Sequence, residues 1–138
     1  MFKLPSNAIA VIKGSLQASL KNTVTFPEHV KTIASVGVTR YEVDLRNYKV
    51  MYHLADGTIH TETLPSVNSQ FNSQFFAKIE VKAAITDIQK QTIDYTTFLN
   101  RIVSAGTKSY GVNIDEGKVI YQGEDDNYIE EFPKLDKG

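Results

Sequence analysis

The chain matches itself. The run from Thr23 to His53 aligns without a gap on the run from Thr92 to Gln122, and Thr23, Ile33, Ser35, Gly37, Tyr41, Val43, Lys49, Val50 and Tyr52 each meet an identical residue. Other pairs keep their character, such as Val24 with Ile93, Phe26 with Tyr95, Val30 with Leu99 and Leu45 with Ile114. After one deletion, Glu62 and Pro65 still meet Glu130 and Pro133. No other feature constrains the fold as much, because whatever one half folds into must also suit the other. Two copies are too few for a solenoid, so a pseudo-symmetric pair is expected within one compact domain spanning residues 1–138. Repeat one covers 7–65 and repeat two 75–133, joined by a Ser-, Asn- and Gln-rich linker at 66–74.

Hydrophobic periodicity gives each repeat its elements. Ile9, Ile12, Leu16 and Leu20 form one apolar stripe, predicting a helix from about Asn7 to Lys21, and Phe75, Ile79, Val81, Ile85 and Ile88 mark its counterpart. The second helix of each repeat starts at Thr25 or Asp94, both good N-cap types, and Pro27 suits an early helical position. It carries Val30, Ile33 and Ala34, or Phe98, Ile102 and Val103, and ends at Gly37 or Gly106. The period then switches to two at Tyr41, Val43 and Leu45. A tight turn at Arg46-Asn47 pairs Val43 with Val50 and Tyr41 with Tyr52, and Asp56-Gly57 signals a type I′ hairpin pairing Leu54 with Ile59 and His53 with His60. In the second half Tyr110, Val112, Ile114, Val119 and Tyr121 repeat the pattern, with turns at Asp115-Glu116-Gly117 and in the acidic loop from Glu124 to Asn127. The expected fold is therefore α+β: a tandem duplication of an ααβββ unit, with antiparallel meander sheets and helices packed on one face.

That register sorts side chains onto two faces. Tyr41, Val43, Val50, Tyr52, Leu54 and Ile59 go to the helix side, while Arg40, Glu42, Asp44, Lys49, Met51, His53, His60 and Glu62 share the outer face, with Asp44 opposite Lys49. Tyr41, Tyr52, Tyr110 and Tyr121 recur in both halves and are expected to pack as core. Ile120, Tyr128 and Phe132 fall on the outer face of the second sheet, where exposed apolar surface points to binding of a partner.

The candidate chemistry lies on the outer face of the first sheet. Adjacent His53 and His60, with Glu62 or Glu42 a row away, are the candidate metal ligands. Glu42 and Glu62 are the candidate catalytic carboxylates. The second half places Gln122, Tyr128 and Gly111 where the first has His53, His60 and Glu42, so the architecture does not require these groups. There is no Gly-x-Ser-x-Gly elbow, phosphate-cradling glycine loop or His-Glu-x-x-His, and the acidic loop lacks the ligand alternation of an EF-hand. With no cysteine, disulfides, thiolate catalysis and iron–sulfur clusters are excluded, which fits a cytoplasmic setting. Fifteen Lys and Arg against sixteen Asp and Glu leave no basic field for nucleic acid, and no stretch approaches the roughly 20 apolar residues of a membrane span. No cofactor is expected. The functional expectation is a binding or accessory module acting through a protein partner or self-association. The alternative is a metal-dependent or carboxylate-based hydrolase using the outer face of the first sheet.

Phe26-Pro27, Val30, Gly37-Val38, Tyr41, Val43-Asp44 and Tyr52, with the later Asp94-Tyr95, Phe98, Ala105-Gly106, Tyr110 and Glu131-Phe132-Pro133, carry a family resemblance over most of the chain. The chain resembles an uncharacterised family of small bacterial proteins, a domain of unknown function some of whose members carry the label phage envelope protein. Thr96 stands where the first half has Pro27, and Thr107 where it has Val38. The resemblance implies a shared architecture and supplies no catalytic residue.

Overall fold

The computed structural model describes residues 6–65, 71 and 75–132. Helices α1 (Ala8–Leu20) and α2 (Phe26–Ala34) precede strands β1 (Val38–Asp44), β2 (Lys49–Leu54) and β3 (Ile59–Thr63). Helices α3 (Lys78–Gln89) and α4 (Tyr95–Ser104) then precede β4 (Ser109–Asn113), β5 (Lys118–Gln122) and β6 (Asn127–Glu131). Most of the expected linker, at 66–70 and 72–74, lies outside the described residues, as does Pro133. Among the described residues no helix is long and apolar enough to cross a membrane.

Local chemistry sets the boundaries. Thr25 caps α2 in a capping box, its side chain accepting from the Glu28 N–H while Glu28 accepts from the Thr25 N–H. Asp94 caps α4 by accepting from the Thr97 N–H at 2.8 Å. Beyond the helix ends, Gly37 at φ 103° and Gly106 at φ 97° adopt the left-handed turn that glycine tolerates.

The strands form one six-stranded antiparallel sheet in the order β3-β2-β1-β4-β5-β6, rather than two separate meanders. β1 and β4 are the leading strands of their meanders and would otherwise be open edges. Their pairing satisfies both. All four helices cover one face, with α1 against α2, α3 against α4 and α1 touching α4. Ile12, Ile33, Tyr52, Leu99 and Ile102 sit at the centre of a single core.

The first hairpin has the expected register, Val43 opposite Val50 and Tyr41 opposite Tyr52. The second does not. Tyr52 pairs with His60 and His53 with Ile59, one residue away from expectation. A two-residue type I′ turn needs positive φ at both central residues, but only Gly57 has it, at φ 90°. Gly57 N–H donates to the Leu54 carbonyl and Leu54 N–H to the Thr58 carbonyl, closing a three-residue loop. Because side chains alternate, that single step moves His60 and Glu62 to the helix side and Ile59 to the outer face, where it is 59% exposed.

The apolar stripes of α1 and α3 also differ from expectation. Ile9, Phe75 and Ile79 are exposed, and α3 instead buries Val81, Ala84 and Ile85. Asp44 stands opposite Lys49, but its carboxylate turns into the β1–β2 loop and accepts from the Arg46 and Asn47 N–H groups.

Candidate functional site: a tyrosine-floored cleft

Strand alternation sends Tyr41, Tyr52, Tyr110 and Tyr121 from the four central strands to the helix side, all buried. Tyr41 and Tyr52 lie 5.5 Å apart and Tyr110 and Tyr121 5.4 Å apart, each pair tilted. The rings do not fill the space beneath the helices. A cavity of about 570 Å³ remains, roofed by the α1–α2 loop, the first turn of α2 and the α3–α4 loop. That volume is typical of small-molecule sites.

Polar groups converge on the floor. Tyr95, on the first turn of α4, reaches down so that its hydroxyl lies 2.5 Å from that of Tyr110. The Tyr52 side chain is fully buried, and its hydroxyl has no hydrogen-bond partner. Burial raises the pKa of Tyr41, Tyr52, Tyr110 and Tyr121, and the neighbouring Tyr95 hydroxyl pushes each further. Burial lifts Tyr95 itself to about 12, against the hydrogen bond from Tyr110. All five hydroxyls are neutral near pH 7 and act as hydrogen-bond donors and acceptors.

His29, from the second turn of α2, contributes one wall. Its Nδ1 lies 2.7 Å from the Ser15 hydroxyl of α1, and its ring meets Tyr41 edge-on at 5.8 Å. Burial lowers its pKa to about 4, opposed by a hydrogen bond to the Ser15 backbone, so the ring is neutral at pH 7. In the second half Ala84 and Phe98 occupy the matching places, which makes this buried polar pair a feature of the first half alone.

The edge strands put a carboxylate beside each outer tyrosine. Glu62 on β3 raises the pKa of Tyr52, and Glu130 on β6 raises that of Tyr121. His60 Nε2 bonds Glu62, and the Tyr128 hydroxyl donates to Glu130 at 2.8 Å. Two different residues thus hold the two carboxylates in the same way.

The sequence-derived candidates separate. His53 stays on the outer face with Glu42, its Nδ1 3.5 Å from Arg40, whereas His60 and Glu62 lie on the helix side. The sheet therefore stands between the two histidines and between the two carboxylates. Among the described residues no group of three or more His, Asp and Glu is placed to hold a metal. Ile120 is on the outer face as expected, 40% exposed and opposite Ile129. Tyr128 stands opposite Tyr121, and Phe132 meets Phe26 of α2 edge-on at 5.4 Å, so both belong to the helix side. The cleft residues His29, Tyr52 and Tyr95 were not among the candidates. The signal available was four tyrosines in alternating core positions, since a buried hydroxyl needs a partner that an aliphatic core residue does not. Comparison with protein-family models and with curated proteins finds no match for this chain.

Proposed function

We propose that the protein is a binding module that holds a small molecule in the tyrosine-floored cleft. The carrying observation is the cavity of about 570 Å³ lined by Tyr41, Tyr52, Tyr95, Tyr110 and Tyr121. N-phenylnaphthylamine, a neutral apolar probe that fluoresces when removed from water, tests this reading. We expect saturable binding of one probe per chain, lost when Ile88→Trp fills the cleft. Non-saturable binding, or binding indifferent to Ile88→Trp in a folded variant, overturns it.

A second reading, association with a protein or a second copy through the outer face, is favoured by one observation. Ile120 and Ile129 are directly opposed and exposed there, at 40% and 51%. Ile120→Asp would abolish such association without disturbing probe binding. A monomer whose pull-downs are unchanged by Ile120→Asp argues against it. For the cytoplasmic setting, support comes from the cysteine-free sequence.

We infer that the two halves are copies of one ααβββ unit. Support comes from the backbone as well as from the self-match. Positive φ recurs at aligned positions: Asn22 and Gln91, Gly37 and Gly106, Tyr48 and Gly117. The β1–β4 junction has the same property. Glu42 faces its own counterpart Gly111, and on either side Tyr41 faces Val112 as Val43 faces Tyr110. That is the self-complementary pairing of an isologous two-fold contact.

A further inference from the structure

We propose that the cleft is selective for an organic cation, an amine or quaternary ammonium carried on an aromatic or otherwise apolar body. The proposal rests on the cleft being a small-molecule site, as inferred above, and goes further by assigning the ligand's charge.

The first ground is the distribution of charge. Glu28, Glu130 and Glu131 line the cavity, and among the described residues no Lys or Arg does. Glu28 is committed to the α2 cap, whereas Glu130 lies beside the Tyr121 hydroxyl, close enough to raise its pKa. Glu62, bonded to His60 and not itself among the lining residues, acts on Tyr52 from β3. An anion entering here would meet carboxylates and, among the described lining residues, no Lys or Arg to offset them.

The second ground is the floor. Aromatic faces carry negative quadrupole charge, and a cation within about 6 Å of a ring centroid gains from about 0.5 kcal/mol at exposed sites to about 2 kcal/mol when desolvated. Tyr41, Tyr52, Tyr110 and Tyr121 supply such faces, with Phe26 and Phe132 at one end.

Three fluorescent molecules of one shape separate the possibilities: N-methylacridinium, a permanent cation; acridine, neutral at neutral pH; and acridine carboxylate, an anion. Titrated against the full chain at low salt, the cation is expected to bind about tenfold tighter than acridine, the ratio that 1.4 kcal/mol gives. The carboxylate should bind more weakly than acridine. Raising the salt should narrow the gap between cation and neutral molecule. In Glu62→Gln and Glu130→Gln the cation should lose affinity while acridine keeps its own. Acridine binding as tightly as the cation, or the carboxylate binding tightest, overturns the charge assignment and leaves the small-molecule site standing. Saturable binding by none of the three removes the site and the assignment together. The native chain alone decides both points, so the result does not depend on how well the glutamate variants fold.

Discussion

Among the described residues two buried side-chain hydroxyls, those of Tyr52 and Thr107, lack hydrogen-bond partners. Thr107 occupies the place held by Val38 in the first half, is fully buried and is not among the residues lining the cleft. Nothing about its site requires the hydroxyl. Thr107→Val should therefore stabilise the protein by about 1 kcal/mol, a rise of about 3 °C in Tm by scanning calorimetry. An unchanged or lower Tm would mean that the hydroxyl has a role in the folded state. Tyr52→Phe should leave Tm equal or higher for the same reason. His29 gives a pH signature. Its folded pKa of about 4 lies below the ordinary 6.5, so the folded chain resists a proton that the unfolded chain accepts. Its contribution is complete above pH 6.5 and is lost as pH falls toward 4, about 3 kcal/mol in all. The double variant Ser15→Ala with His29→Phe reproduces the Ala84 and Phe98 arrangement of the second half and should remove this portion of acid sensitivity. Urea unfolding across that pH range checks it. Equal pH slopes in the native chain and the variant would refute the assignment.

Helices and strands were legible in the sequence where two independent signals agreed. The first hairpin of each half has alternating apolar residues on both strands, so only one register buries them all, and Val43 meets Val50 as Val112 meets Val119. In the second hairpin β3 offers Ile59, His60, Thr61 and Glu62, with one apolar residue to choose the face. The turn decides there, and whether Asp56 takes positive φ is not written in the Asp-Gly pair. The expected pairing of His53 with His60 rested on that choice, and the observed register sets His53 opposite Ile59 instead. The cleft was illegible for another reason: periodicity identifies which residues face inward but not whether the helices above them close the gap. Packing between elements also gives two glycines opposite roles. A Cβ on Gly123 would lie 2.7 Å from the Phe76 Cβ, an atom too near its own backbone to swing aside, whereas at Gly111 the nearest atom is 3.8 Å away. Gly123→Ala should cost about 1–3 kcal/mol by overpacking. Gly111→Ala should be neutral or slightly stabilising, since glycine weakens a strand interior. Chemical denaturation of the two variants in parallel checks this, and equal midpoints would contradict it.

At the scale of the molecule, the seam between the halves and the cleft are one feature. The β1–β4 pairing joins the sheets and brings Tyr41 and Tyr110 together on the floor, so any force that separates the halves also opens the cavity. If the halves are copies of one unit, each retains the means to pair with itself. Expressed alone, the second half would present β4 as an open edge, and in a symmetric dimer Gly111 would face Gly111 with nothing to repel. The first half would place Glu42 opposite Glu42, and like charges directly across an antiparallel pair are destabilising. Light scattering should therefore find the fragment 71–138 dimeric at concentrations where the fragment 1–70 is not, and Glu42→Gly should shift the first fragment toward the dimer. Mixed together, the two should prefer each other, since Glu42 opposite Gly111 avoids the repulsion and restores the one-sided Ser15–His29 wall beside the second half's floor. Two folded, monomeric halves, or a first-half fragment indifferent to Glu42→Gly, would show that the seam is not a relic of self-pairing. If the fragments instead behave as expected, self-pairing went through glycine opposite glycine, and the gain of one glutamate at the seam, Glu42, would be the step by which a symmetric pair became a single asymmetric chain with one cleft.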